Sequence, residues 1–168
     1  STWRPPSWRA RWCFPARRSG PCCPSWRARR AWWRASGLRL TEALRLRVKD
    51  VALERSALVI RDAKGGKDRV TVLPEAVASP LKEHLARLHT WFEVQRRSGA
   101  PGVSVPGALA RKYPGAPVQW GWQYVFPARN RCRDPYTGEW VRHHLYEQTA
   151  QRAVKSAVRK AGIQQPAS

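Results

Sequence analysis

From residue 38 onward, apolar and polar positions follow a readable period; ahead of it they do not. Leu40, Leu44 and Val48 recur at helical spacing, which predicts a helix over 40–48. Residues 50–55 read as a turn. Residues 57–61 and 69–73 are rich in β-branched and aliphatic side chains and read as two strands. Between them 62–68 carries the paired glycines of a hairpin tip. A long helix is predicted over 74–97, with Val77, Leu81, Leu85, Leu88 and Phe92 as its buried stripe and Ser98-Gly99 as its end. Residues 99–141 read as loop-rich, Gly and Pro punctuating the aromatics Trp120, Trp122, Tyr124 and Phe126. A last helix is predicted over 145–161, burying Leu145, Ala150, Val154, Ala157, Val158 and Ala161 ahead of a stop at Gly162. Together these elements predict a mainly α fold with a small antiparallel β-hairpin or sheet (α+β).

Residues 1–37 show neither helical nor strand period. Prolines 5, 6, 15, 21 and 24 interrupt any long helix. The segment holds nine Arg and six of the ten Trp but no Lys, Asp or Glu. One short repeat occurs, Pro6-Ser-Trp-Arg-Ala-Arg11 and Pro24-Ser-Trp-Arg-Ala-Arg29, and two copies are too few for a solenoid. Two readings stand: an arm that grips a single strand through phosphate contacts and base stacking, or a disordered or frameshifted segment never selected to fold. The chain is therefore divided into 1–37 and a domain over 38–168.

Charge narrows the class of partner. Lys+Arg number 32 against 11 Asp+Glu, a formal net charge of +21. Such an excess favours a polyanion, because each cation placed near a phosphate releases a condensed counterion. Nucleic acid is favoured over an anionic membrane surface. No apolar run approaches the roughly 20 residues that cross a bilayer, and the Arg- and Trp-laden start is unlike a secretory signal. Cys13, Cys22, Cys23 and Cys132 include no C-x-x-C pair and make a poor metal set, so no metal site is predicted. Reduced thiols in a cytoplasmic protein fit that pattern.

Two motifs point to phosphoryl transfer. Gly37-Leu-Arg-Leu-Thr-Glu42 sets Arg39 at the start of a helix, and Ala63-Lys-Gly-Gly-Lys-Asp-Arg69 sets lysines at an exposed hairpin tip. In this order and spacing they resemble the catalytic domain of the tyrosine recombinases, the phage integrase family. The resemblance implies DNA strand cleavage and rejoining through a phosphotyrosine, without metal or other cofactor. Fixed cations neutralise charge that grows on the scissile phosphate, and a general acid protonates the leaving oxygen. By motif, Arg39 is the first catalytic arginine and Lys64 the hairpin general acid. Glu42 supports the Arg39 helix, while Lys67 and Arg69 contact the DNA backbone.

A second resemblance covers the region about 99–144. Val105-Pro-Gly-Ala-Leu-Ala-Arg-Lys-Tyr-Pro-Gly-Ala116, Trp120-Gly-Trp-Gln-Tyr-Val-Phe-Pro-Ala128, Asp134-Pro135 and Arg142-His-His144 are similar to the insert peculiar to integron integrases. In those enzymes the insert helps to recognise folded single-stranded cassette sites whose hairpins flip bases out. Flat apolar surfaces and polar edges suit that task, and Trp122, Pro135, His143 and His144 are the candidates. The same aromatics could simply be core. A metal at the histidine pair is rejected, since adjacent imidazoles are expected to point apart and no nearby carboxylate or thiol completes a set.

The family's His-x-x-Arg box and nucleophilic tyrosine fall beyond the matched motifs, and Tyr113, Tyr124, Tyr136 and Tyr146 all precede that place. The 168 residues are thus read as a partial catalytic domain, inactive in strand cleavage alone but able to bind DNA, with homo-oligomers forming on DNA in the full-length family. The alternatives are a small basic single-strand-binding module without catalysis, or a non-functional product.

Overall fold

The computed structural model describes residues 37–61, 66–135 and 137–160. Lys64, the expectations for residues 1–36, and the predicted burial of Val154, Ala157, Val158 and Ala161 lie outside the described residues and side chains, as does the stop at Gly162.

The first helix, α1 (Leu40–Arg45), is shorter than the apolar spacing predicts. Leu46 leaves the helix with ψ 132°, and Val48–Asp50 forms a separate 3-10 turn. Three strands follow: β1 (Val51–Ala52), β2 (Ala57–Ile60) and β3 (Arg69–Val72), paired antiparallel in the order β1-β2-β3. The expected hairpin is present, and β1 is an addition in the stretch read as turn. Register decides the faces. Leu58 and Ile60 of β2 point into the core, while Val59 and Ala57 pair with the exposed Val70 and Val72 on the outer face.

Helix α2 (Glu75–Arg97) packs Val77, Leu81, Leu88 and Phe92 inward, and Leu85 lies partly buried on the same stripe. Pro80 sits inside it but on the solvent side, where water can replace the backbone bond it removes. The end is a Schellman turn: Ala100 N–H bonds Gln95 O and Gly99 N–H bonds Arg96 O, with Gly99 at φ 65°.

The region 99–144 is irregular but anchored. It holds α3 (Gly107–Lys112), 3-10 turns at Ala116–Val118 and Trp120–Trp122, and the two-stranded pair β4 (Cys132–Arg133) and β5 (Trp140–Val141). Gly102 passes so close to Pro117 that an added Cβ would lie 2.6 Å from its carbonyl oxygen, and Val103 N–H bonds that oxygen. Helix α4 (Glu147–Lys160) closes the described chain. Among the described residues no helix is long and apolar enough to cross a membrane.

One core joins these parts. Leu38, Ala43 and Leu46 from the α1 region meet Leu58, Ile60, Leu73, Val77, Leu81 and Val125. Leu44 turns the other way, toward Leu145 and Ala150, so α1 is packed between the sheet side and α4. The fold is mixed, helices with small antiparallel sheets, as the periodicity predicts. Leu58 is fully buried at the centre of this core. Leu58→Ala is expected to cost about 3 kcal/mol, within the range for a cavity left by a buried leucine, read as a lower urea midpoint with unchanged slope.

Candidate functional site

Arg39 is the residue preceding α1, with its side chain 60% exposed. It is held from behind. Glu42, only 8% exposed, accepts the Arg39 backbone N–H at 2.9 Å and its Nη1 at 3.2 Å. The same carboxylate accepts Arg69 Nη2 at 2.7 Å, and Arg69 also reaches Gly37 O at 3.4 Å. This largely covered carboxylate thus fixes two guanidiniums and ties the loop end of the β2–β3 hairpin, where Arg69 pairs with Ile60, to the turn before α1. Burial alone would raise the Glu42 pKa; the Arg39 N–H bond and the Arg69 charge outweigh it and hold the carboxyl below its usual value. Glu42, expected to support the Arg39 helix, bonds both the backbone and the side chain of Arg39. Arg69, expected at a DNA backbone, spends its guanidinium first on this intramolecular pair. Lys67 is exposed at the described edge of the hairpin.

Behind this cluster Asp50 is buried and accepts Arg61 Nε at 2.8 Å, while Arg61 Nη1 reaches Asp68 at 3.2 Å. This pair stiffens the other side of the hairpin, and the Asp50 bond raises the Arg61 pKa.

The second group of candidates gathers around Arg47, a residue the sequence did not single out. Its Nη1 donates to Trp122 O at 2.6 Å, and its Nη2 to Ser104 O at 2.9 Å and the Tyr124 hydroxyl at 3.1 Å. The guanidinium also lies 4.3 Å from the Tyr124 ring centroid and 5.6 Å from that of Trp122. Burial lowers its pKa. Lys49 places its ammonium 3.0 Å from the Trp122 centroid. Trp122 is therefore half-buried against cations, not lost in the core.

Tyr124 carries the contact on to the histidines, its ring 5.7 Å from His143 and 5.5 Å from His144. The two imidazoles lie 4.2 Å apart. This corrects the expectation that neighbouring imidazoles diverge: residues 143 and 144 are in neither a regular strand nor a helix, so the alternation behind that expectation does not apply. Desolvation first, and then nearby cations, lowers both pKa values, so both rings are neutral near pH 7. His144 Nδ1 bonds Leu145 O at 2.9 Å. His143 Nδ1 is buried with no hydrogen-bond partner among the described residues.

Pro135 stands apart from this row, exposed at the tip that joins β4 to β5. Asp134 fixes the tip through Gly138 N–H to its carbonyl at 2.8 Å, and its carboxylate accepts Ser104 Oγ at 3.1 Å. Ser104 O also receives Arg47 Nη2, so Ser104 links the tip to the aromatic row. Arg142, quoted within the histidine motif, proves to be a buried staple. It bonds Ala128 O at 2.7 Å, Arg129 O at 2.9 Å and Gln95 Oε1 at 3.2 Å and covers the Trp91 ring, with burial bringing its pKa down to about 10.

With this geometry in place, comparison with known proteins is informative. The model of the phage integrase family matches residues 26–168. An integrase/recombinase of Escherichia coli is 44% identical over 133 residues, 79% of this chain and 40% of that protein, and one of Pseudomonas aeruginosa matches to the same extent. Tyrosine recombinase XerA of Pyrococcus furiosus is 36% identical over 52 residues, 31% of this chain and 18% of that one. The crystal structure of a XerA recombinase shares the fold with a TM-score of 0.50 at 20% identity, over 82% of this chain and 35% of that chain. The chain spans 40% of the length of the two bacterial integrase/recombinases.

Two outcomes are expected. Arg47→Ala leaves the carbonyls of Ser104 and Trp122 without their charged donor and should destabilise the chain by about 3 kcal/mol, with Arg47→Lys failing to restore it because an ammonium lacks the planar fork; thermal melts followed by near-UV circular dichroism measure both. Glu42 has a depressed folded pKa, so its contribution is full above the ordinary carboxylate value of 4.5 and fades as pH falls through the lower folded value. Stability of the unaltered chain should therefore drop more steeply below pH 4.5 than that of Glu42→Gln, as measured by urea titration across pH 3 to 6.

Proposed function

Since the chain belongs to the phage integrase family of tyrosine recombinases, we propose that it serves site-specific recombination of the integron type, in which DNA cassettes are integrated and excised. The observation that carries this reading is the Arg47 junction, which sets an aromatic and imidazole surface directly onto the segment that follows the Arg39 helix. On this reading 38–168 belongs to the catalytic domain, with an insert over about 99–144, and 1–37 is a separate segment. Arg39 binds non-bridging oxygens of the scissile phosphate and Lys64 protonates the departing oxygen, with Glu42 as the support that aims Arg39. Lys67 and the remaining donors of Arg69 meet the DNA backbone. The partner is DNA, including folded single-stranded hairpins, bound by a homo-oligomer in the bacterial cytoplasm.

Bases flipped from such hairpins are received by Trp122, His143 and His144, while Pro135, exposed at the β4–β5 tip apart from this row, meets the DNA separately. Neutral imidazoles suit that role. They present π faces and one donor and one acceptor edge, where a cation would pull toward phosphate instead. His143 is held by ring contacts with Tyr124, His144 and Tyr146, and its buried Nδ1 has no hydrogen-bond partner among the described residues.

The test compares two DNA hairpins of equal length, one fully paired and one with an extrahelical guanine, by fluorescence anisotropy with the 168-residue chain. The unaltered chain is expected to prefer the bulged hairpin. Trp122→Ala and His144→Ala should each reduce that preference by about 1–3 kcal/mol, the range for loss of one base stack, and Trp122→Phe should retain most of it. Equal affinity of the unaltered chain for both hairpins would end the integron reading while leaving family membership untouched.

A further inference from the structure

The β4–β5 pair has two faces, and the row of aromatics just described uses one of them. Register pairs Cys132 with Val141 and Arg133 with Trp140. By the alternation of a strand, Cys132 and Val141 share a side; Cys132 Sγ donates to Val141 O at 3.9 Å and lies beside Tyr146, whose ring stacks on that of His143. Arg133 and Trp140 share the other side. There Trp140 is 54% exposed, and the Arg133 guanidinium lies 5.3 Å from its ring centroid. Arg133 is held in place by donating to Gly138 O at 2.9 Å.

That side opens onto a groove of about 440 Å³ lined by Gly99, Pro101, Arg131 and Trp140. No carboxylate is among these lining residues. Gly99, just past the end of α2, and Pro101 bring no charge to the lining. Arg131 is exposed two residues before Arg133, and the buried Arg142, packed on Trp91 and Gln95, lies near enough to feel its charge. The groove therefore offers an accessible aromatic face, a guanidinium beside it and a second guanidinium on the flank.

We propose that Trp140, Arg131 and Arg133 form a second contact for single-stranded nucleic acid, on the opposite face of the β4–β5 pair from His143. A base stacks on the open face of Trp140, and the guanidiniums of Arg131 and Arg133 meet the flanking phosphates. The charge of the occupant follows from the arginines, and its aromatic face from the exposed indole between them. A duplex keeps its base faces stacked and offers only the phosphates, so the site discriminates in favour of unpaired strands. The proposal does not depend on the role assigned to Trp122, His143 and His144.

Binding of the whole 168-residue chain to a fluorescein-labelled oligothymidylate and to a duplex of equal length, followed by anisotropy, tests it. Trp140→Ala should weaken oligothymidylate binding about tenfold, in the range for one stacked base, with duplex binding unchanged; Trp140→Phe should keep most of the affinity. Arg131→Gln should lower the slope of log K against log salt by about 0.7, the value for one phosphate of a single strand. Losses from Trp140→Ala and Trp122→Ala should multiply in the double variant, as for separate sites. Unchanged oligothymidylate binding by Trp140→Ala, or an equal loss on duplex, would overturn the proposal. So would loss of self-association with oligonucleotide binding intact, which would make this face a contact between copies of the chain.

Discussion

The structure depends most on the guanidinium of Arg47. It leaves the segment after α1, enters the irregular region and satisfies two backbone carbonyls and a tyrosine hydroxyl there. Backbone pairing follows the same seam: Val48 N–H bonds Gln123 O and Val125 N–H bonds Leu46 O. Loop backbone buried near a core needs partners for every polar group, and a region with so little ladder of its own finds few internally. Arg47 supplies them from a segment already fixed by Leu44 and Leu46 in two core clusters. The position of Trp122, and through Tyr124 that of both histidines, is thereby inherited from α1.

A second anion-centred cluster solves the opposite problem. Arg39 and Arg69 are like charges brought close together, and without compensation they would repel and spread. The nearly buried carboxylate of Glu42 receives both. It keeps the Arg39 head exposed yet restricted, since its backbone N–H and its side chain are held by the same group. A cation held before an anion arrives needs little reorganisation on binding, which is what stabilising a developing charge requires. Hairpin and helix are coupled by the same pair, so displacement of the β2–β3 hairpin is felt at Arg39.

Local elements were legible in the sequence because their signals are local. The branched residues of β2 and β3, the glycines between them and the stripe of α2 name their own structure. The Arg39 and Glu42 spacing was legible for the same reason, as three residues set helix geometry. Arg47 and Arg142 were not, since their partners lie up to 77 residues away in sequence. In a chain with a net charge of +21, a buried arginine looks like any other. The early end of α1 has the same origin: apolar spacing continues to Val48, but the turn at Leu46 sends Arg47 into the fold, and tertiary bonding overrides the period. Contact between the neighbouring imidazoles of His143 and His144 likewise depends on irregular backbone that no periodicity describes.

Burial sorts the cations and imidazoles of this molecule into different kinds of work. Arg47 and Arg142 are desolvated, their pKa values lowered, and their donors are taken up by carbonyls, so they build the scaffold. His143 and His144 are pushed toward neutrality by the same desolvation and by the cations around them. Arg39 and Lys67 remain at the surface, where charge is available to a phosphate. A positive field thus surrounds a neutral aromatic row. On the proposed function, phosphates are drawn to the field at long range, while the row itself, with imidazoles pushed toward neutrality, meets the faces and edges of bases. The selectivity proposed for unpaired bases would then arise from where desolvation falls, with no need for acidic side chains to repel the backbone.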